Sequence, residues 1–257
     1  IELIKYKMSI YNFLGKNIYP LKMKNVAGLG TVIAFAIEKA NTTMSIFRYY
    51  QKCLLIVYVN GSIGKIETKH EIQNFTPIGK DKIYYSCNNL LLNSNQIRCI
   101  SSDGKDTLVA GEPLELDYYN CLVDKKYYLR KDYTCFSKIA DLTTSSDGCC
   151  VVLERNGIVR KLLEDGTTKL LSDRFIEPTC LVSRPKGNGY LVSHKYGISH
   201  IKENGNVNNL YYTQMPLSIS NLCQLQDTLL FFNDIKKEKI SVFNTMRKNS
   251  ENCLISS

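Results

Sequence analysis

No apolar run in the 257 residues approaches the roughly 18–20 needed to cross a bilayer as a helix, and the longest, Cys53 to Val59, is the length of a strand. No transmembrane helix and no membrane partner are therefore expected. Tryptophan is absent, and histidine occurs only three times, at His70, His194 and His200. No CxxC pair exists to start a zinc site, and Gly28-Leu29-Gly30 is followed neither by the Gly-Lys-Ser/Thr ending of a phosphate loop nor by a helical pattern. These absences remove the common signatures of metal, nucleotide and redox chemistry, so no cofactor and no metal are expected and the chain reads as a non-enzyme.

What is present describes a folded protein. The apolar fraction is 44% and the charged fraction 22%, which are globular values. Ten cysteines are scattered through apolar segments, where a thiol packs as a small hydrophobe, and this favours an intracellular, reducing location. The sequons at Asn41, Asn60 and Asn74, with an even cysteine count, keep an extracellular location open. The chain starts Ile1-Glu2-Leu3-Ile4 rather than with Met, which fits a fragment or processed product, with Met8 an alternative start.

An internal repeat organises the second half. Gly148 matches Gly189, Gly157-Ile158 matches Gly197-Ile198, and Glu164-Asp165-Gly166 matches Glu203-Asn204-Gly205, at offsets of about 40 residues. Each copy reads as strands separated by Asn-Gly or Asp-Gly turns, which suit two-residue hairpins because both residues tolerate positive φ. A further strand precedes each copy, at 136–142 and 179–183, and a third unit follows with strands at 219–225, 228–233 and 239–244, so that a unit reads as four strands in about 40 residues. Looser copies precede them, around 54–68 and 84–111, and a Tyr-rich stretch from Tyr118 to Tyr133 reads as a degenerate unit or an insertion.

The segment Pro178-Thr179-Cys180-Leu181-Val182, with Asn188-Gly189-Tyr190-Leu191-Val192, Gly197-Ile198-Ser199-His200-Ile201 and Glu203-Asn204-Gly205, resembles an NHL-type propeller repeat. The resemblance spans about residues 54–245; near the place of the aspartate these repeats commonly carry after the second strand stand Glu154, Lys195 and Asn233 or Asp234, so only the last unit could retain it. It implies an all-β fold, a β-propeller of about six four-stranded blades, with seven blades or a β-sandwich as alternatives. The expected layout is an N-terminal extension (1–28), the propeller (29–247) and a C-terminal tail (248–257).

Function is read from that architecture. The expectation is a non-enzymatic scaffold that presents a propeller face to a protein partner within a larger assembly. The net charge of +9 adds an alternative, since some NHL-type propellers bind single-stranded RNA. Lys125, Lys126, Tyr127, Tyr128, Arg130 and Lys131 are the candidate partner or RNA contacts, because they interleave cations with stacking aromatics. A metal-dependent channel enzyme is the minor reading, with the acidic turn residues Asp103, Asp106, Asp147, Glu164 and Asp165 as conceivable oxygen ligands. His194 and His200 flank one turn but have no third ligand at suitable spacing, and Cys149-Cys150 is adjacent within a strand, so its side chains point to opposite faces.

Overall fold

A computed structural model describes residues 18–26, 30–38, 50–57, 63–78, 82–89, 94–101, 103–111, 136–163, 168–184, 189–225, 229–234, 239–244 and 253–255. Every element in these residues is a β-strand. The first sheet contains β1 (Ile18–Val26), β2 (Gly30–Glu38), β3 (Tyr50–Val57) and β4 (Ile63–Glu67). The second contains β5 (Asn74–Ile78), β6 (Lys82–Asn89), β7 (Ser94–Ser101) and β8 (Asp106–Ala110). The third contains β9 (Ile139–Thr144), β10 (Cys150–Glu154), β11 (Val159–Leu162) and β12 (Thr168–Ser172). The fourth contains β13 (Cys180–Ser183), β14 (Tyr190–His194), β15 (Gly197–Ile201) and β16 (Val207–Tyr212). The fifth contains β17 (Ile219–Leu225), β18 (Leu229–Asp234), β19 (Lys239–Asn244) and β20 (Cys253–Ile255).

Each sheet is an antiparallel meander of consecutive strands, and the opening strands β1, β5, β9, β13 and β17 lie against one another in succession. Apolar side chains then fill the space between neighbouring sheets. Val151, Leu153 and Val159 of the third sheet meet Leu181, Tyr190, Val192 and Ile201 of the fourth. Cys150 and Val152 point the other way, onto Ile97 and Ala110 of the second sheet. Leu191 and Ile198 of the fourth sheet pack on Ile219, Leu222, Leu230 and Phe232 of the fifth. The period-2 alternation of a strand buried on both faces produces this division. Separate cores between successive sheets are the propeller arrangement, and they set aside the β-sandwich, whose two layers would share one core.

Five sheets lie within the described residues, where the sequence leads to an expectation of about six. The Tyr-rich stretch falls outside the described residues, and among the described residues no further sheet stands between the second and third. Asn74 Nδ2 of β5 donates to Ile139 O of β9 at 3.4 Å, and the hydroxyls of Thr76 and Thr144 are 2.9 Å apart. Two strands fall in segments read as extension and tail: β1 pairs with β2, and β20 pairs with β19.

The turns correct one detail. Glu154 N donates to Ile158 O at 2.8 Å and Gly157 N donates to Glu154 O at 3.0 Å, so Arg155-Asn156-Gly157 is a three-residue loop. Ser145 to Cys149 and Lys202 to Asn206 repeat the same two bonds. In these loops only the glycine has positive φ, as in a type I turn followed by a G1 bulge, and the Asn or Asp stays in the ordinary region. The Asx side chain serves differently, accepting the amide two residues on, as Asn204 Oδ1 does from Asn206 N at 3.0 Å.

Candidate functional site

Strands β9 and β13 run in the same direction, so equivalent hairpins of the third and fourth sheets emerge at the same end. Leu181 N of β13 donates to Asp141 Oδ2 of β9 at 2.7 Å, and Ser183 N donates to Thr143 Oγ1 at 3.1 Å, fixing β13 alongside β9. The β9–β10 hairpin and the β15–β16 hairpin therefore meet at one end of the third and fourth sheets.

Four titratable side chains converge there. Lys161, on β11, is buried and places its Nζ 2.7 Å from Asp147 Oδ2 and 3.3 Å from Glu203 Oε2. Tyr190, fully buried at the start of β14, donates its hydroxyl to Glu203 Oε1 at 2.5 Å. Ser145 donates to Asp147 Oδ1, and Lys169 Nζ donates to Glu203 O at 3.1 Å. An ammonium and a phenol thus stand behind two carboxylates that face solvent, 56% exposed for Asp147 and 37% for Glu203.

The electrostatics follow from this geometry. The bonds from Lys161 and Ser145 hold the Asp147 carboxyl well below the usual aspartate range. Burial opposes the charge on Lys161, yet its two carboxylate partners outweigh it and raise the ammonium above its ordinary value. Burial first, then the bond to Glu203, pushes the Tyr190 phenol far up, so it remains a donor. Clustered perturbed groups of this kind mark functional sites as well as structural ion-pair networks.

A second charged cluster sits in the second sheet, where Tyr85 donates to Asp106 Oδ2 at 2.6 Å and Arg98 Nε donates to Asp106 Oδ1 at 3.0 Å. It is contained within one sheet, whereas Lys161 and Glu203 join two.

The residues singled out in the sequence are distributed otherwise. Lys125, Lys126, Tyr127, Tyr128, Arg130 and Lys131 lie outside the described residues, as do Glu164 and Asp165. Asp103 is an exposed turn residue whose Oδ1 accepts from Lys105 N at 3.1 Å. His200 pairs across the ladder with Leu191, three residues from His194, so the two histidines point to opposite faces. His194 contacts Ser199, while His200 Nδ1 lies 3.5 Å from Arg184 Nη1. Among the described residues no group of three or more His, Cys, Asp or Glu side chains is placed to hold a metal. Cys149 and Cys150 are both buried.

No protein-family model matches the chain, and no curated protein matches it in sequence. Solved structures do match. Virginiamycin B lyase from Staphylococcus aureus is similar at a TM-score of 0.57 and 14% identity, covering 92% of this chain and 69% of that one. A streptogramin B lyase is similar at 0.56 and 15% identity, covering 90% and 67%. A putative oxidoreductase (glucose dehydrogenase) from Thermus thermophilus is similar at 0.55 and 9% identity, covering 93% and 85%.

These structures correct the reading of the chain as a non-enzymatic scaffold. The same sheet arrangement carries proteins named as lyases and an oxidoreductase, so the architecture supplies no ground for excluding catalysis. The chain is an all-β protein of four-stranded antiparallel sheets with the propeller-type repeat fold of these structures.

Proposed function

We propose that the chain is a propeller-type enzyme performing acid–base chemistry on a small carbonyl-containing substrate at the cluster between its third and fourth sheets. The observation that carries this reading is the convergence of Asp147, Lys161, Tyr190 and Glu203 from two sheets at one end. Glu203 is the base, taking a proton from the carbon beside the carbonyl. Lys161 and Tyr190, both kept protonated, hold the Glu203 carboxylate from behind and fix its direction toward the substrate. If a bond to oxygen on the next carbon then breaks, the electron pair closes a double bond and the reaction is an elimination.

The solved structures of similar fold supply probes. A catalytically inactive form of the Staphylococcus aureus lyase is known with quinupristin, and the Thermus thermophilus protein is described as a glucose dehydrogenase. Purified protein is incubated with quinupristin and followed by liquid chromatography with fragment-ion mass spectrometry, where an elimination that opens the ring gives a new species of unchanged intact mass and hydrolysis one heavier by a water. D-glucose with a dye acceptor forms a second arm, which reports oxidation in place of elimination. The expected result is ring opening that Glu203→Gln slows by about 100-fold or more at unchanged melting temperature. Absence of conversion, glucose oxidation alone, or a Glu203→Gln variant as fast as the parent would overturn the proposal.

A further inference from the structure

The opposite end of the fourth sheet holds a different device. The β14–β15 hairpin turns through Lys195 and Tyr196, and its backbone clamps the connecting segments on either side. Lys195 N donates to Ile176 O at 2.9 Å in the segment before β13. Thr213 N donates to Tyr196 O at 2.9 Å, and Leu217 N donates to Lys195 O at 2.8 Å, in the segment after β16. Ile176, Tyr212 and Met215, which lie in or beside those segments, are the exposed large apolar side chains at this end among the described residues, and the Tyr196 and Tyr212 rings are 6.4 Å apart.

His194, the last residue of β14, anchors this hairpin. Its Nδ1 accepts from Tyr196 N at 3.3 Å. Ser199 Oγ donates its one hydrogen to Asn209 Oδ1 at 2.8 Å, so at 2.9 Å it receives the Nε2–H of His194. The ring also lies 5.6 Å from the Phe175 ring. All positions are filled by the neutral, Nε2-protonated imidazole, and a proton on Nδ1 would set two N–H groups against each other.

The charged and titratable groups on the packed elements offer the imidazolium no partner that competes with this. Glu177 is engaged by Lys195 Nζ at 2.6 Å, and Lys195 lies beside the Tyr196 ring. Asp173 and Arg174 are exposed on the segment that carries Phe175, as is Arg155 on the neighbouring loop, and Tyr211 and Tyr212 contribute phenols from β16. Burial accordingly holds the His194 imidazole below its ordinary value.

We propose that His194 is a pH-sensitive latch, whose protonation frees the Lys195-Tyr196 hairpin and with it the two connecting segments that carry the exposed apolar side chains. Its role is independent of the acid–base cluster at the other end.

The test is amide exchange by NMR at pH 7.5 and pH 5, corrected for intrinsic rates, with the three histidine rings titrated in the same samples. Protection of the Tyr196, Thr213 and Leu217 amides is expected to fall by tenfold or more at pH 5, with a midpoint matching the His194 ring. The His194→Gln variant, which keeps a donor and an acceptor but does not titrate, is expected to lose this response. An equal loss of protection in His194→Gln, or titration of the His194 ring without any change at those amides, overturns the proposal. Should the variant fail to fold, agreement or disagreement between ring and amide midpoints in the parent protein decides it.

Discussion

The third and fourth sheets solve the same hairpin with opposite chemistry. Glu154 ends β10 as His194 ends β14, forty residues apart, and in both the following residue binds the preceding connection. Arg155 N donates to Lys138 O at 2.8 Å, as Lys195 N donates to Ile176 O at 2.9 Å. In the third sheet the anchor is a charge. Glu154 is fully buried, lies 2.6 Å from Arg160 Nη2, and accepts from Ser137 N at 2.7 Å, while Arg160 also stacks over the Phe136 ring. In the fourth the anchor is a neutral imidazole bound to a hydroxyl. A buried ion pair holds its place strongly once formed but is costly to break, whereas an imidazole can be switched within the physiological range.

Truncating the charged anchor is expected to have the largest effect. Glu154→Ala leaves the Arg160 guanidinium without its carboxylate and should cost about 3–5 kcal/mol in urea unfolding. Replacing both residues by Leu should recover much of that, and a double variant no more stable than Glu154→Ala would show that the pair is not the unit.

The glycines test what the two hairpins share. A Cβ on Gly157 would sit 2.1 Å from Phe175 O, and one on Gly197 would sit 2.0 Å from Tyr211 O, both at positive φ. Alanine at either position should cost about 1–3 kcal/mol or more, to a similar degree in the two sheets. A large inequality would break the equivalence.

Acid separates the sheets by sign. The folded His194 binds its proton less readily than the unfolded value of 6.5, so its contribution is intact above that pH and declines as pH falls below it. Burial pushes the Glu154 carboxyl up from 4.5 against the pull of Arg160, so protonation there favours the folded state. Stability measured against pH should therefore fall below about 6.5 in the parent and fall less in His194→Gln. The smallest effect is expected at the exposed pair. Lys195→Ala removes the Glu177 contact and should leave the unfolding midpoint unchanged at moderate salt.

The architecture was legible where glycine marks a turn. Strands around Gly148, Gly157, Gly189 and Gly197 fall within a few residues of their expected positions, because the αL requirement pins the hairpin and the strands follow. Strand β5 was not legible. Its sequence, Asn74-Phe75-Thr76-Pro77-Ile78, has polar residues and a proline where a sheet core would carry apolar ones. The reason is positional: as the opening strand of its sheet it turns polar side chains onto the next sheet, and Pro77 occupies an edge where no ladder partner is lost. The charged cluster was illegible for another reason. Lys161 and Glu203 are 42 residues apart, and only the packing of two repeats brings them together.

The side-chain bonds between opening strands have a consequence for how such a chain tolerates change. Asp141 holds Leu181 and Thr143 holds Ser183, each pair one repeat of 40 residues apart. The fourth unit is thereby indexed against the third before its own outer strands begin. A residue gained or lost in an outer loop of the third unit is therefore compatible with the same placement of the fourth, as in the glycine offsets that drift from 41 to 39 between these two units.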